Sequence, residues 1–310
     1  MEVNLASVLG YCMGVRRAVE TAEKALLNNP GKKVYSLGPL IHNSSVLKNL
    51  SDKGLSILEE NQIDDVEEGA FVIIRAHGVS PKVYDFLEKK NCTVIDATCP
   101  RVVGSQRNVR KYSREGYDVF LAGDKNHGEV LGIQGFAEGP FFLLQDESEV
   151  GKVCGQKAGS EESRTEGRNE RRNEGRNEGR KAVLLSQTTF SPSKFEAIAD
   201  SLKEKYPDSL KVMNTICPAT KERQDALIQL CEKVDAVIVV GGKASANTKR
   251  LLQTAQKYCP HCVLIETALE IPEEFFSFEK VGVTAGASTP DEDIKAVCET
   301  LASERTLSSH

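Results

Sequence analysis

Three cysteines stand at the same kind of junction. Thr93-Val-Ile-Asp-Ala-Thr-Cys99-Pro100 and Lys211-Val-Met-Asn-Thr-Ile-Cys217-Pro218 each run from an apolar, strand-like stretch into Cys-Pro and then into a helical pattern. Cys12, in Gly10-Tyr-Cys-Met-Gly-Val-Arg16, follows the apolar stretch from Val3 to Leu9 and precedes an amphipathic helix. Proline is tolerated in a first helical turn, where its missing N–H has no partner to lose. A thiol at a helix N-terminus is favoured as thiolate by the helix dipole. Three thiols in equivalent places point to one shared ligand. They fall one short of the four protein ligands that close a structural zinc site, whereas an iron–sulfur cluster held by three cysteines keeps one iron open for substrate. Buried, inert thiol is the ordinary state of a single cysteine, and the two Cys-Pro turns at strand ends argue against it here.

A second set of polar residues also follows apolar runs. Leu37 leads to His42 and Asn43, Ile74 to His77, Leu121 to His127 and Glu129, Leu185 to Thr188, Val240 to Ser245 and Asn247, and Val283 to Ser288. Three of the five histidines are in this set. It is rich in donors and poor in acceptors, as a phosphate or diphosphate site requires. Glu129 is the carboxylate beside the histidines, and its natural role is general acid; a solvated surface glutamate is the plainer alternative. Cys259-Pro-His-Cys262 is a C-x-x-C that follows a helix and precedes a strand, the reverse of the thioredoxin order, so it reads as an incidental pair or a weak metal site. Gly241-Gly242 and Gly282 complete no dinucleotide or P-loop fingerprint.

The elements that must position these residues alternate. Apolar runs at 34–37, 71–74, 94–95, 119–121, 182–185, 237–240, 263–265 and 281–283 are mostly continuous, as in strands buried on both faces of a parallel sheet. Helical patterns such as 15–27, 219–234 and 247–258 lie between them, which predicts an α/β fold. Cys12 and Cys99 are 87 residues apart, and Cys99 and Cys217 are 118 apart, or 96 without a low-complexity insertion. That insertion, 159–180, repeats Glu-Gly-Arg-Asn, carries six Glu and six Arg, and holds no apolar residue that could join a core, so disorder is expected there. The expected organisation is three similar parallel-sheet α/β units: 12–99, 100–205 with the insertion, and 206–300 together with 1–11.

Composition narrows the class. The chain has 310 residues, 40% hydrophobic content, no Trp and a net charge of −5, which argues against a nucleic-acid partner. It has no run of 18 apolar residues and no charged segment leading into an apolar one at the N-terminus, so neither a membrane span nor a secretion signal is expected. Nine cysteines, an odd number spread along the chain, fit a cytoplasmic protein that uses some thiols as metal ligands.

With these residues in view, the chain resembles the 4-hydroxy-3-methylbut-2-enyl diphosphate reductase family of the non-mevalonate isoprenoid route. The resemblance runs from about Val3 to Pro290, outside the insertion. It rests on Gly-Tyr-Cys12-Met-Gly-Val, Ile-His42-Asn, Ala-His77-Gly-Val-Ser, Asp-Ala-Thr-Cys99-Pro, His127-Gly-Glu129-Val, Gln-Thr188-Thr, Thr-Ile-Cys217, Ser245-Ala-Asn247-Thr and Val-Thr-Ala-Gly-Ala-Ser288. It implies three α/β units arranged pseudo-threefold around one central [4Fe–4S] cluster, with Cys12, Cys99 and Cys217 as metal ligands. By the same resemblance His42, His77, His127, Thr188, Ser245, Asn247 and Ser288 contact an allylic diphosphate substrate. The resemblance further implies that Glu129 delivers the proton and that ferredoxin or flavodoxin supplies electrons; Thr188, expected on a neighbouring strand end, is placed to relay that proton through its hydroxyl. Three departures stand out: Ala246 where many relatives carry Ser, the insertion, and a shorter C-terminal tail. A zinc or thiol protein without redox chemistry and a phosphate-binding module would use many of the same residues, and bound iron and sulfide distinguish the first reading from both.

Overall fold

The computed structural model describes residues 1–41, 43–154, 179–243 and 245–303. In chain order its elements are β1 (Glu2–Leu5), α1 (Met13–Asn28), β2 (Val34–Leu37), α2 (Ser44–Asp52), β3 (Leu55–Leu58), β4 (Phe71–Ile74), α3 (Pro81–Lys89), β5 (Thr93–Asp96) and α4 (Pro100–Arg114). There follow β6 (Asp118–Ala122), α5 (Gly128–Gln134), β7 (Phe141–Leu144), α6 (Val150–Val153), β8 (Ala182–Ser186), α7 (Pro192–Lys205) and β9 (Leu210–Val212). The last are α8 (Pro218–Cys231), β10 (Ala236–Val240), α9 (Ala246–Tyr258), β11 (His261–Ile265), β12 (Lys280–Ala285) and α10 (Asp291–Ser303).

The expected three α/β units are present as three four-stranded sheets, parallel throughout. Their orders are β3-β2-β4-β5, β7-β6-β8-β9 and β11-β10-β12-β1. Counted within each sheet this is one order, 2-1-3-4, with β1 from the N-terminus standing as the fourth strand of the last sheet. The inner strands explain the continuous apolar runs: β2, β6, β8 and β10 are buried at every position. The flanking strands β3, β5, β7, β9 and β1 are half-buried or partly exposed, so their sequence signal is weaker. The unit expected over 100–205 extends further, because β9 pairs with β8.

By compactness the chain divides into two bodies rather than three. One comprises Met1–Ala76, Asp85–Cys99 and residues 217 onward, and holds two of the sheets; the other comprises His77–Tyr84 and Pro100–Ile216, and holds the third. In the first, one core gathers Ala18, Ala22, Leu40, Leu50 and Ile73 around the β2–β4 sheet, and another gathers Ile238, Val240, Val283, Val297 and Leu301 around β10 and β12. In the second, Phe120, Leu184, Ile198, Leu202 and Tyr206 pack between the β6–β8 sheet and α7.

Most of the expected insertion lies outside the described residues, but its last residue does not behave as solvated repeat. Arg180 pairs with the buried carboxylate of Asp118 at 2.5 Å, and Asp118 also accepts from the Tyr206 hydroxyl at 3.0 Å. Arg180, just ahead of β8, is therefore held by an ion pair to the first residue of β6. Among the described residues no helix is long and apolar enough to cross a membrane. Asp118→Ala leaves the buried Tyr206 hydroxyl without its acceptor, and urea unfolding should report a loss of about 1–3 kcal/mol, the usual cost of an orphaned buried polar group.

Candidate active site

In an open parallel sheet of this order, the crevice at the carboxyl ends lies between the first and third strands, where the direction of winding reverses. The polar set follows those strands in all three sheets: His42 after β2 and His77 after β4, His127 with Glu129 after β6 and Thr188 after β8, Ser245 with Asn247 after β10 and Ser288 after β12. The cysteines follow the fourth strands: Cys99 after β5, Cys217 after β9 and Cys12 after β1. His42 and the side chain of Ala246 lie outside the described residues.

All three cysteines belong to the first body. Cys12 and Cys217 are the N-caps of α1 and α8, with extended backbone and no side-chain cap bond, so their thiols are not spent on the helix. Cys99 immediately precedes Pro100, the first residue of α4. The cysteine loops are tied to one another. Arg17 on α1, the helix that Cys12 caps, donates to the carbonyls of Thr98 at 2.8 Å and Asp96 at 3.2 Å, next to Cys99. Arg223 on α8, the helix that Cys217 caps, donates to the carbonyl of Gly10, ahead of Cys12. The first turn of α1 also abuts Cys99: a Cβ at Gly14 would stand 2.9 Å from the Cys99 Sγ. Glycine there keeps a space beside the thiol that any other residue would fill. Among the described residues no three His, Cys, Asp or Glu side chains converge as ligands of a single ion.

On the same body, Ser245 caps α9 by accepting from the Thr248 N–H at 3.3 Å, and it is buried, as is Ser288. Asn43 caps α2 through its Oδ1 and donates its Nδ2 to the Ser288 carbonyl at 3.1 Å, so the loops after β2 and β12 are joined. The Asn247 Nδ2 is buried with no hydrogen-bond partner. An orphaned amide donor at strand ends suits an anion that would accept from it.

The second body holds His77, His127, Glu129 and Thr188. Glu129 is 1% exposed, which rules out the solvated alternative. Its Oε1 accepts from the Thr188 N–H at 2.6 Å and its Oε2 from the Thr188 hydroxyl at 2.7 Å. Burial raises the Glu129 pKa above the ordinary carboxylate range, and the two bonds from Thr188 offset part of that rise. No substrate charge is needed to raise it. The His127 Nδ1 accepts from the Glu129 N–H at 3.2 Å, which leaves the neutral ring's proton on Nε2, and the His77 ring lies edge-on at 5.3 Å between centroids. Gln187, fully buried, braces the pair: its Oε1 accepts from the Asp124 N–H and its Nε2 donates to the Thr189 hydroxyl. A Cβ at Gly132 would meet the Gly78 and His77 carbonyls at 3.2 and 3.3 Å, so glycine on α5 lets the helix that carries Glu129 approach the His77 turn.

Residues 3–302 match the family described as LytB protein. The chain belongs to the LytB family. Among its relatives is the 4-hydroxy-3-methylbut-2-enyl diphosphate reductase of Treponema denticola, 46% identical over 295 residues that cover 94% of this chain and 96% of the relative. That of Thermoanaerobacter pseudethanolicus is 39% identical over 302 residues, covering 97% and 96%. The solved E-1-hydroxy-2-methyl-but-2-enyl-4-diphosphate reductase of Plasmodium falciparum matches with a TM-score of 0.77 at 30% identity, over 96% of this chain and 87% of that one. A second solved structure, of (E)-4-hydroxy-3-methyl-but-2-enyl diphosphate reductase, described as the terminal enzyme of the non-mevalonate pathway, matches with a TM-score of 0.73 at 34% identity, over 97% and 99%.

Within this LytB chain, Cys259 and Cys262 are separate from the cysteine loops just described. They sit at the end of α9 and in β11 beside Cys231, in a core with Val237, Val239 and Leu251. Burial and the neighbouring thiols push the Cys262 pKa up to about 12, and burial pushes that of Cys231 to about 11. Such thiols are protonated and inert at neutral pH.

The Glu129 environment has a measurable consequence for stability. Below the unfolded-state pKa, about 4.3 for an unperturbed glutamate, the carboxyl is neutral in both states. Above it the unfolded chain gives up the proton while the folded site retains it, so holding this group costs stability as pH rises through the folded value. Glu129→Gln keeps an acceptor for the Thr188 N–H and a donor for its hydroxyl without that cost. Its thermal midpoint should match wild type in acid and exceed it at neutral pH.

Proposed function

We propose that this chain catalyses the two-electron reductive dehydroxylation of 4-hydroxy-3-methylbut-2-enyl diphosphate to isopentenyl and dimethylallyl diphosphates. Its membership of the LytB family and the names carried by its relatives give the reaction class. The observation that carries the assignment of roles is the cysteine arrangement: three thiols at the mouths of three helices, on loops braced by Arg17, Arg223 and the space at Gly14. That donor set fits one [4Fe–4S] cluster per chain, with Cys12, Cys99 and Cys217 as its ligands. When bound there, the cluster would supply electrons and Lewis acidity at an iron left without a protein ligand. Two electrons and two protons enter, the C–O bond breaks, and the oxygen leaves as water.

The chain's own residues bind the diphosphate and move a proton. His42, His77, His127, Thr188, Ser245, Asn247 and Ser288 are assigned to the diphosphate, and the unpartnered Asn247 amide supports that assignment. Glu129 is assigned as proton donor. A hydroxyl is a poor leaving group until protonated, and burial shifts the Glu129 carboxyl toward its protonated form. Protonated, the carboxyl donates to the Thr188 hydroxyl 2.7 Å away, which passes on its own proton, since a hydroxyl donates and accepts at once. Electrons come from ferredoxin or flavodoxin. The cytoplasm is the assigned compartment, and all nine cysteines being free thiols supports it.

Iron and acid-labile sulfide analysis of anaerobically purified protein tests the cluster. Changing Cys12, Cys99 or Cys217 to Ser should remove iron and activity together, as should Gly14→Ala, whose methyl group would displace the Cys99 thiol. Changing Cys259 and Cys262 together should leave the iron content intact. Full iron content in Cys99→Ser would overturn the ligand assignment.

Glu129→Gln should keep the cluster and bind substrate, yet turn over slower by roughly 10²-fold or more, the usual scale for losing a general acid. Wild-type turnover in that variant would remove Glu129 from proton delivery.

A further inference from the structure

Arg223 is the only buried arginine or lysine among the described residues. It lies on α8, six residues after Cys217, and is 3% exposed. A guanidinium remains ionised at physiological pH. Taking one out of water costs several kcal/mol unless an opposite charge compensates. The hydrogen bonds of Arg223 do not supply that charge: Nε donates to the Ala285 carbonyl at 3.2 Å and Nη2 to the Gly10 carbonyl at 2.6 Å, and both acceptors are neutral. No carboxylate among the described residues pairs with it. Burial pulls its pKa down, and the groups that pull it back up are the thiols of Cys12 and Cys217. The cation is rooted in the helix that Cys217 caps, and its Nη2 bond lands two residues ahead of Cys12.

Its two bonds also land on the backbone that sets Cys12. Gly10 precedes Cys12 by two residues. Ala285 ends β12, and two residues further on the Ala287 carbonyl accepts the Cys12 N–H at 3.1 Å. One side chain, rooted in the helix that Cys217 caps, thus fixes the loop that carries Cys12. Arg17 makes a similar tie to the Cys99 loop, but it is exposed, so water and salt screen its charge.

We propose that Arg223 is a positioning and charge-balancing residue for the iron–sulfur cluster: it ties the Cys12 loop to the Cys217 helix and supplies the fixed positive charge that favours the cluster's reduced state. This rests on the reading that Cys12, Cys99 and Cys217 hold the cluster. Three thiolates make the site anionic, and an electron accepted from the one-electron donor makes it more so. A buried cation near it stabilises the reduced form more than the oxidised one, because burial of the guanidinium weakens the screening of its charge.

The test uses anaerobically loaded wild-type, Arg223→Lys and Arg223→Gln proteins. Iron and sulfide are counted, the cluster's midpoint potential is measured by redox titration, and kcat and KM are determined separately. In Arg223→Gln the potential should fall, leaving roughly tenfold less cluster reduced at a fixed donor potential, which is about 59 mV for a one-electron couple. With that fall kcat should drop while KM for the diphosphate holds, and Arg223→Lys should recover most of the potential. An unchanged potential in iron-loaded Arg223→Gln would overturn the inference. So would loss of iron from both variants, since a strut without an electrostatic role would behave that way. A wild-type protein without iron and sulfide would instead refute the cluster reading itself.

Discussion

A parallel ladder puts the carboxyl ends of all its strands along one edge, and the crossovers that make it parallel bring the chain back to the other edge each time. Every residue here with a proposed chemical role inherits its place from that constraint. The three sheets share the order 2-1-3-4, so each has an inner pair of strands whose loops open at the point where winding reverses. In all three, those loops carry the histidines, hydroxyls, amide and carboxyl, and the outer fourth strand leads to a cysteine. The inner strands are buried at nearly every position, which makes them rigid supports for short polar loops. That one order serves three times also explains why β1, remote in sequence, closes the sheet of β10 and β12.

The buried ionisable groups separate architecture from chemistry. Asp118, Glu129 and Arg223 are all almost fully withdrawn from water. Asp118 is compensated in full, by an arginine and a tyrosine hydroxyl, at the end of the sheet away from the reactive loops. Glu129 has hydrogen bonds but no counter-charge, and Arg223 has carbonyls but no carboxylate. A buried ionisable group without a counter-charge weakens the fold, whether it stays ionised or takes up a proton, and persists only where something else requires it. In the roles proposed for them, Glu129 needs a raised pKa to act as proton donor, and Arg223 would find its counter-charge in a bound cluster. The cysteines divide in the same way. Burial raises the pKa values of Cys231 and Cys262 in the α9–β11 core, whereas Cys12 and Cys217 at helix mouths have thiols that cap nothing.

By itself the sequence determined the α/β alternation, most of the inner strands, the three cysteines and the polar residues after each strand. It could do so because buried parallel strands leave continuous apolar runs, and because Cys-Pro and His-Gly turns are local features. The same locality set its limits. β3 and β7 lie at sheet edges, where half-burial weakens the pattern, and the division at 205 cut off β9, whose membership depends on pairing with β8. Only the tertiary structure decided that Glu129 is buried, because a glutamate in a Gly- and His-rich loop reads equally well as solvated until α5 packs against the His77 turn and Thr188 closes over the carboxyl. It also decided the parts played by Arg17, Arg223 and Gln187, whose long-range partners lie 62 to 213 residues away. Arginines on a polar helix look like a solvated face in any window of sequence, and burial and the identity of a hydrogen-bond acceptor are fixed only when distant strands meet.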